Sequence, residues 1–257
     1  LLKDVPVGNT SPSIILLGGF QVIDEKRIDI TKMFPPTVKH LFLLILLSTF
    51  TGKKKISYAD LRNILWFDKD DNSARNNRNV NLSKLRSLLI RVGKIEIIED
   101  NNYLWVSLDK NVFCDYQEIM AIRATINTDK NFNRSLLVKS LHIASKGALL
   151  PDVHAEWIDA YKAKYSDTLI DFLLKTVARP ELETDYELLS KMGDIILLHD
   201  NIDENGIRLK CYGLYYSNRK GKALQSFNKF CDEYKNLLGE IYKGEFNDMI
   251  KSTKTMF

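Results

Sequence analysis

Residues 73–92 contain five basic residues and no acidic one, and read SARNNRNVNLSKLRSLLIRV. On a helix, at about 100° per residue, their side chains separate into two faces. One face is apolar, as in a helix that packs on a core, and comprises Ala74, Leu82, Leu85, Leu89 and Val92. The opposite face comprises Asn76, Val80, Ser83, Lys84 and Ser87. The stretch therefore predicts an amphipathic helix whose outer face has no carboxylate.

This outer face has the chemistry that base edges in a DNA major groove require. An amide bonds adenine, a cation bonds guanine, and an apolar group contacts the thymine methyl. Asn76, Lys84 and Val80 supply one group of each kind. The alternative interpretation is a solvated amphipathic helix that happens to be basic, and this stretch alone leaves both interpretations open.

Charge is distributed unevenly along the chain. Residues 1–110 contain 17 Lys and Arg against 12 Asp and Glu, whereas residues 111–257 contain 20 against 21. A basic front half and a near-neutral back half favour a division of labour in which the front half meets a polyanion such as DNA.

Several classes of protein are disfavoured by the residues present. Cys114, Cys211 and Cys231 are far apart and form no C-x-x-C pair, which indicates a reducing compartment. The histidines have no metal-ligand spacing, so no metal site is predicted. Because no nucleophile elbow, phosphate-binding glycine loop or H-E-x-x-H motif occurs, we predict no catalytic residues, no cofactor and no enzyme.

The location of the protein is predicted from what the sequence does not contain. Its longest apolar run, residues 41–47, is too short for a membrane span, which needs about 20 residues. No signal peptide precedes it. We therefore expect a cytoplasmic protein. The absence of an initial methionine indicates the output part of a longer regulator, which can itself be membrane-tethered.

Residues 14–110 predict an α+β winged helix-turn-helix domain with a leading β-sheet. A leader or linker, residues 1–13, precedes it. Thr37 and Ser57 are candidate N-caps of the first two helices. The predicted elements are a strand from Ile14 broken at Gly18-Gly19, a short strand at 27–30, helices at 38–50, 58–66 and 73–92, and hairpin strands at 94–98 and 103–108 joined by a turn at 99–102.

Residues 113–257 predict an all-α domain. Short polar turns separate successive antiparallel helices, which is typical of a TPR-like helical-repeat stack, although no 34-residue repeat is evident. The predicted helices are 116–126, 134–146, 155–178, 182–199, 204–217, 222–238 and a short one at 245–252.

Three segments, in this order, resemble bacterial transcriptional activators of the antibiotic-regulatory-protein type: LLGGFQV, LFLLILLSTFTGKKKISYADLRNILW and NSARNNRNVNLSKLRSLL. That family couples an OmpR-like winged helix to an all-helical bacterial transcriptional activation domain. The segment GKALQSFNKFCDEYKNLLGEIY is similar to the end of that second domain. The resemblance covers nearly all of residues 14–252 and is most specific over residues 73–89.

The resemblance implies roles for the third helix. It assigns DNA base contacts to Asn76, Asn77, Val80 and Lys84. It places Ser83 and Arg86 toward the DNA backbone, and the charge of the helix adds Arg75, Arg78 and Arg91 as candidate phosphate contacts.

Two positions depart from the family pattern. Arg78 stands where the family has an apolar residue, so we expect its methylenes on the core and its guanidinium toward phosphate. Asn102-Tyr103-Leu104 replaces the Gly-Tyr-Arg of the wing, so the arginine expected to contact DNA there is missing.

The segment before the third helix is acidic. In OmpR-like proteins it contacts RNA polymerase, which makes Phe67, Asp68, Asp70 and Asp71 candidate contacts. The alternative is a connecting loop with a half-buried Phe67. A basic turn, residues 53–55, is likewise either a phosphate contact or a solvated turn.

The predicted function is that of a sequence-specific, DNA-binding transcriptional activator. Its expected partners are double-stranded DNA, RNA polymerase and a second copy of the chain. Residues 113–257 are expected to mediate dimerisation, polymerase contact or the response to a signal. The alternative is a helical-repeat adaptor between proteins, whose winged helix no longer binds DNA.

Overall fold

The computed structural model describes residues 12–128 and 132–251. The chain forms two units, and each is described by itself. The first contains the described residues up to Met120 together with Asp152–Tyr161, and the second contains Ala121–Pro151 and the described residues from Lys162 onward. Most of the predicted leader, residues 1–11, lies outside the described residues, whereas Ser13 is the first residue of a strand.

In chain order, the elements that begin in the first unit are β1 (Ser13–Ile15), β2 (Gln21–Ile23), a 3₁₀ helix (Thr31–Met33), α1 (Pro36–Phe50), β3 (Ile56–Ser57), α2 (Tyr58–Leu65), α3 (Asp71–Val92), β4 (Ile95–Asp100), β5 (Tyr103–Leu108), β6 (Phe113–Cys114) and α4 (Asp115–Thr128). The three predicted helices and the hairpin are thus present. The short strands β3 and β6 were not predicted, since two residues carry no detectable period.

The leading sheet has the strand order β2-β1-β6, with β1 antiparallel to β2 and parallel to β6. Beyond β1, the buried Asp115 carboxylate accepts hydrogen bonds from the backbone N–H groups of Leu16 and Leu17, each at 2.9 Å. These bonds satisfy amides that would otherwise be buried without a partner. Asp115 therefore fixes the start of α4 against the turn that follows β1.

The strand predicted at residues 27–30 is wrong. Only an isolated bridge joins Asp29 to Ile23. Arg27 has a φ of 67°, and the Asp24 carboxylate accepts hydrogen bonds from the backbone of Lys26 and Ile28. These local bonds hold a turn where the apolar pattern indicated a strand.

Helix α1 is the centre of the first unit. Its residues 41–47 are fully buried, and it contacts α2, α3, β3 and β5. The Thr49 hydroxyl accepts a hydrogen bond from Val106 N at 3.0 Å, which joins α1 to β5. Thr37 was predicted as the N-cap, but the helix begins at Pro36. Proline suits the first helical position because its missing N–H would have no helical partner there.

In the second unit, the elements that follow are α5 (Arg134–Ala144), α6 (Glu156–Val177), which begins in the first unit, a 3₁₀ helix (Pro180–Leu182), α7 (Tyr186–His199), α8 (Glu204–Tyr216), α9 (Lys220–Leu238) and α10 (Phe246–Met249). The helix predicted from Leu182 begins instead at Tyr186. Asp185 is its N-cap and accepts a hydrogen bond from Leu188 N. The other predicted helices are present with limits shifted by a few residues. Ser252, the predicted end of the last one, lies outside the described residues.

Helices α7 and α8 pack closely because glycines lie at their contact. A Cβ atom at Gly193 of α7 would lie 2.5 Å from Lys210 N, and a Cβ atom at Gly213 of α8 would lie 2.3 Å from Tyr186 O. Both obstacles are backbone atoms, which cannot move without separating the helices. Any larger residue at either position is therefore incompatible with this packing.

We predict that Gly193→Ala destabilises the protein by about 1–3 kcal/mol, because the added methyl group overpacks the α7–α8 contact. Gly221→Ala in α9 is the matched control, since a Cβ atom there meets nothing within 4 Å. Alanine also favours the helical backbone, so the control should be neutral or slightly stabilised. Urea unfolding followed by circular dichroism measures both, and equal midpoints for the two variants would contradict the prediction.

Candidate nucleic-acid interface

Helix α3 is defined by a cap at each end. Asp70 is the N-cap and accepts a hydrogen bond from Ser73 N at 2.9 Å. Gly93, with a φ of 130°, follows the last turn. The helix starts two residues earlier than predicted. Asp71 is its first residue rather than part of a loop, and a carboxylate there interacts favourably with the positive end of the helix dipole.

The two predicted faces of α3 are confirmed by burial. Its buried residues are those predicted: Ala74, Leu82, Leu85, Leu89 and Val92. All five residues of the opposite face are exposed, and Val80 has 53% of its surface accessible. Within the described part of the chain, no hydrogen bond or ion pair engages the side chains of Asn76 and Lys84. The outer face is thus an open polar surface with one apolar residue on it.

Asn77 lies at the edge of this face and is half-buried. Its side-chain amide donates to the Ser73 carbonyl at 2.9 Å, and Asn81 makes the same bond to the Asn77 carbonyl. The first of these bonds directs the side-chain amide of Asn77 along the helix. A base contact through Asn77 therefore requires its side chain to rotate.

Arg78 is held over the ring of Tyr58 in α2, with the guanidinium carbon 3.5 Å from the ring centroid. It also donates to the side-chain carbonyl of Asn79. The guanidinium is thus occupied by an aromatic face, which explains how a cation is tolerated where the family has an apolar residue.

Tyr58 and Arg86 both bond Glu99, which lies on the hairpin strand β4. The Tyr58 hydroxyl donates to one carboxylate oxygen, and Arg86 Nη2 lies 3.3 Å from the other. Burial and the bond to Glu99 raise the pKa of Tyr58 to about 12. The bond from Tyr58, and then Arg86, lowers the pKa of Glu99. This cluster joins the hairpin to α2 and α3.

The two remaining arginines of α3 differ in their surroundings. Arg91 Nη2 lies 3.9 Å from the buried Asp24 carboxylate, and Nη1 lies 3.0 Å from the Met33 sulfur. Arg75 is exposed and has no carboxylate within 4 Å among the described residues. Of the predicted phosphate contacts, Arg75 is thus the most freely available. The exposed Ser83 lies in the same helix, and its carbonyl accepts a hydrogen bond from Ser87.

The wing is the β4–β5 hairpin. Its turn consists of Asn101 and Asn102, which have φ angles of 48° and 65°, so the predicted four-residue turn is shorter and β4 extends through Asp100. Leu104, at the position of the family's arginine, is fully buried. A cation still lies beside the wing, because Lys55 Nζ is 4.3 Å from the centroid of the Tyr103 ring. Lys55 belongs to the basic turn at residues 53–55.

The segment before α3 is divided between two roles. Phe67 has 79% of its surface exposed, so the alternative of a half-buried Phe67 is wrong. The preceding residue, Trp66, is the buried one. Asp68 pairs with Lys69 at 3.1 Å. Asp71 pairs with Arg62 of α2 at 2.7 Å. Among the described residues, Phe67 and Asp68 neither cap a helix nor pair with a residue of another helix, whereas Asp70 caps α3 and Asp71 pairs with Arg62.

Other kinds of site were sought in the same residues. Within 12–128 and 132–251, no group of three or more His, Cys, Asp or Glu is placed to hold a metal ion. The three cysteines are free thiols, and burial raises the pKa of Cys114 and of Cys211 to about 12, which opposes thiolate formation. Among the described helices, none combines the length and the apolar character needed to cross a membrane.

No protein-family model and no curated protein matches the sequence. Among solved structures, the chain is similar to Mycobacterium tuberculosis EmbR in complex with a low affinity phosphopeptide, with a TM-score of 0.59 and 16% sequence identity. The match covers 94% of this chain and 64% of the EmbR chain, so this chain spans less than two thirds of that protein.

EmbR is a regulator of the antibiotic-regulatory-protein type, with an OmpR-like winged helix and a helical activation domain. The match therefore confirms, as a likeness of fold, both the predicted fold class and the resemblance seen in the sequence.

We predict that the Glu99 cluster stabilises the protein above the ordinary pKa of glutamate, 4.5, and that this contribution is lost as the pH falls. The sign follows because the pKa of Glu99 is lowered by folding, so the folded protein binds fewer protons. Glu99→Gln should therefore be less stable than the wild type near neutral pH, and the difference should vanish in acid.

Urea unfolding at a series of pH values measures this difference. Glu96→Gln, on the exposed side of the same strand, is the matched control and should follow the wild type at every pH. A Glu99→Gln deficit that stays constant from neutral pH into acid would assign the effect to packing rather than to charge.

Proposed function

We propose that this chain is a sequence-specific DNA-binding transcriptional activator, the output part of a longer bacterial regulator. Residues 14–110 bind DNA by inserting α3 into the major groove, and residues 113–257 mediate dimerisation, polymerase contact or the response to a signal. The observation that carries this proposal is the exposed outer face of α3, in a helix that has no carboxylate after Asp71. The likeness of fold to EmbR supports it.

In this proposal the bases are contacted by Asn76, Asn77, Val80 and Lys84. The side chains of Asn76 and Lys84 have no hydrogen-bond or ion-pair partner among the residues that the structure describes. Val80, which is exposed, lies between them along the helix. An amide pairs with adenine, a cation pairs with guanine, and an apolar group contacts the thymine methyl. Asn77 contributes after its amide leaves the Ser73 carbonyl.

Phosphate contacts supply the affinity that is independent of sequence. We assign them to Arg75, Arg78, Ser83, Arg86 and Arg91. Arg75 is available as the helix stands. The guanidinium groups of Arg78, Arg86 and Arg91 each have a protein partner that holds them near the helix surface, so phosphate would share or replace that partner.

The exposed pair Phe67 and Asp68 is the proposed contact with RNA polymerase. Asp70 and Asp71 were also predicted to contact polymerase. Asp70 caps α3 and Asp71 pairs with Arg62, so we propose a smaller contribution to that contact from these two carboxylates. Since both partners, DNA and polymerase, occur in the cytoplasm, we propose that this part of the protein acts there.

Selection from a random duplex library, using the full chain, tests the proposal. An enriched motif is the expected result, and absence of any enrichment with folded protein would refute it. In the same selection Lys84→Ala should lose about 1–3 kcal/mol on the best site and relax the preference at one position, because a base-reading cation is removed. An unchanged preference would reject Lys84 as a base contact.

Arg75→Ala should instead weaken binding to all sequences alike and lower the slope of log K against log salt by about one, because one phosphate contact is lost. Fluorescence anisotropy at several salt concentrations measures the slope. Lys26→Ala, which removes a cation from an exposed turn after β2, is the control and should leave the slope unchanged. If Arg75→Ala also leaves it unchanged, Arg75 does not contact phosphate.

A second candidate function is that of an adaptor between proteins. The observation that favours it is the burial of Leu104 where the family has a wing arginine, together with the internal partners of Arg78, Arg86 and Arg91. In that case the protein would be retained on heparin by its charge and would show no sequence preference in the duplex selection.

A further inference from the structure

The second unit contains a groove with a volume of about 750 Å³, which is within the range of ligand-binding clefts. Helices α7 and α9 line its sides, and α8 contributes Lys210 and Leu214. The buried Leu214 and Phe230 and the half-exposed Leu198 give it an apolar part. Hydroxyl and amide groups lie beside them, on Ser190, Asn201, Gln225 and Ser226.

The groove is lined by more cations than carboxylates. It contains two acidic residues, Asp194 and Glu233, and five basic ones: Lys191, Lys210, Arg219, Lys222 and Lys229. Because residues 111–257 as a whole are nearly neutral, this is a local concentration of positive charge. An excess of positive charge in a groove favours anionic ligands.

Ion pairs account for three of these cations. Lys210 pairs with Asp194 at 2.8 Å, Lys229 with Glu233 at 3.5 Å, and Lys191 with Glu187 at 3.3 Å. Neither Arg219 nor Lys222 has a carboxylate within 4 Å in the part of the chain that the structure describes.

These two residues stand at an unfavourable place for cations. Arg219 is the N-cap of α9, Lys220 and Lys222 are in its first turn, and no acidic residue is there. The positive end of a helix dipole favours carboxylates over cations. A local arrangement that opposes stability is expected where a function requires it.

We propose that this groove binds an acidic peptide segment of a partner protein, with carboxylates on Arg219 and Lys222 and an aliphatic side chain against Leu198 and Phe230. The proposal concerns the second unit and does not depend on DNA binding by α3. The proposal assigns an acidic partner to the helical half, which the near-neutral overall charge of residues 111–257 does not indicate.

A peptide fits the lining better than a nucleic acid does. Asp194 and Glu233 would repel a continuous run of phosphates, whereas a peptide can place its carboxylates at one end of the groove only. The apolar part of the groove would make no favourable contact with a charged phosphate backbone. The hydroxyl and amide groups can both donate to and accept from peptide N–H and C=O groups.

The test uses the full chain and a fluorescein-labelled probe peptide in which pairs of glutamates alternate with pairs of leucines. The wild type should bind the probe, as measured by anisotropy. The double variant Arg219→Glu and Lys222→Glu should bind it about tenfold more weakly or not at all, because two attractions become repulsions. Both side chains are exposed, and acidic residues suit a helix N-terminus, so this variant should remain folded.

The double variant Lys220→Glu and Lys235→Glu is the matched control. It makes the same change of charge on the same helix at exposed residues that do not line the groove, and it should retain binding. A second probe with glutamine in place of glutamate should not bind the wild type. Equal weakening in the two double variants, equal binding of both probes, or no binding of the acidic probe would overturn the proposal. Displacement of the probe by single-stranded DNA from the groove would assign the groove to nucleic acid instead.

Discussion

The first unit depends on the burial of one helix on all its sides. Residues 41–47 of α1 form an unbroken apolar run, and a helix that is apolar all round must be surrounded by other elements. Helices α2 and α3 and strands β3 and β5 provide that cover. Because only one face of α3 packs on the core, the residues of its opposite face are exposed in the described structure. The open polar surface of α3 is therefore a consequence of how α1 is covered.

The cations of α3 are not equivalent once the protein is folded. Arg78 lies on the Tyr58 ring, Arg86 bonds Glu99 on the hairpin, and Arg91 lies near the buried Asp24. These contacts attach α3 to the elements around it, so the helix is held in place before any partner arrives. Lys84 and Arg75 retain their charge for a partner. The same basic composition thus serves both to position the helix and to present charge.

In the second unit, most of the cations that line the groove are paired with carboxylates. Glycines bring the backbones of α7 and α8 together. Long side chains of α7 and α9 line a groove in the same unit. Acidic and basic residues pair across and along these helices. Of the cations that line the groove, Arg219 and Lys222 at the start of α9 have no carboxylate within 4 Å among the described residues. A stretch that is neutral in composition can thus contain a strongly charged site.

The sequence by itself determined the helices, the hairpin and the two faces of α3, because apolar spacing and caps act over a few residues and are legible without long-range contacts. It did not determine the two-residue strands β3 and β6, whose pairing is made by residues distant in the chain. Nor did it indicate that Asp71 belongs to α3 or that Phe67 is exposed. Only the tertiary structure decided which arginines of α3 have a protein partner and which groove cations have no carboxylate nearby among the described residues. The physical reason is that a charge is neutralised by whatever lies within a few ångströms in space, and spacing along the chain does not report that distance.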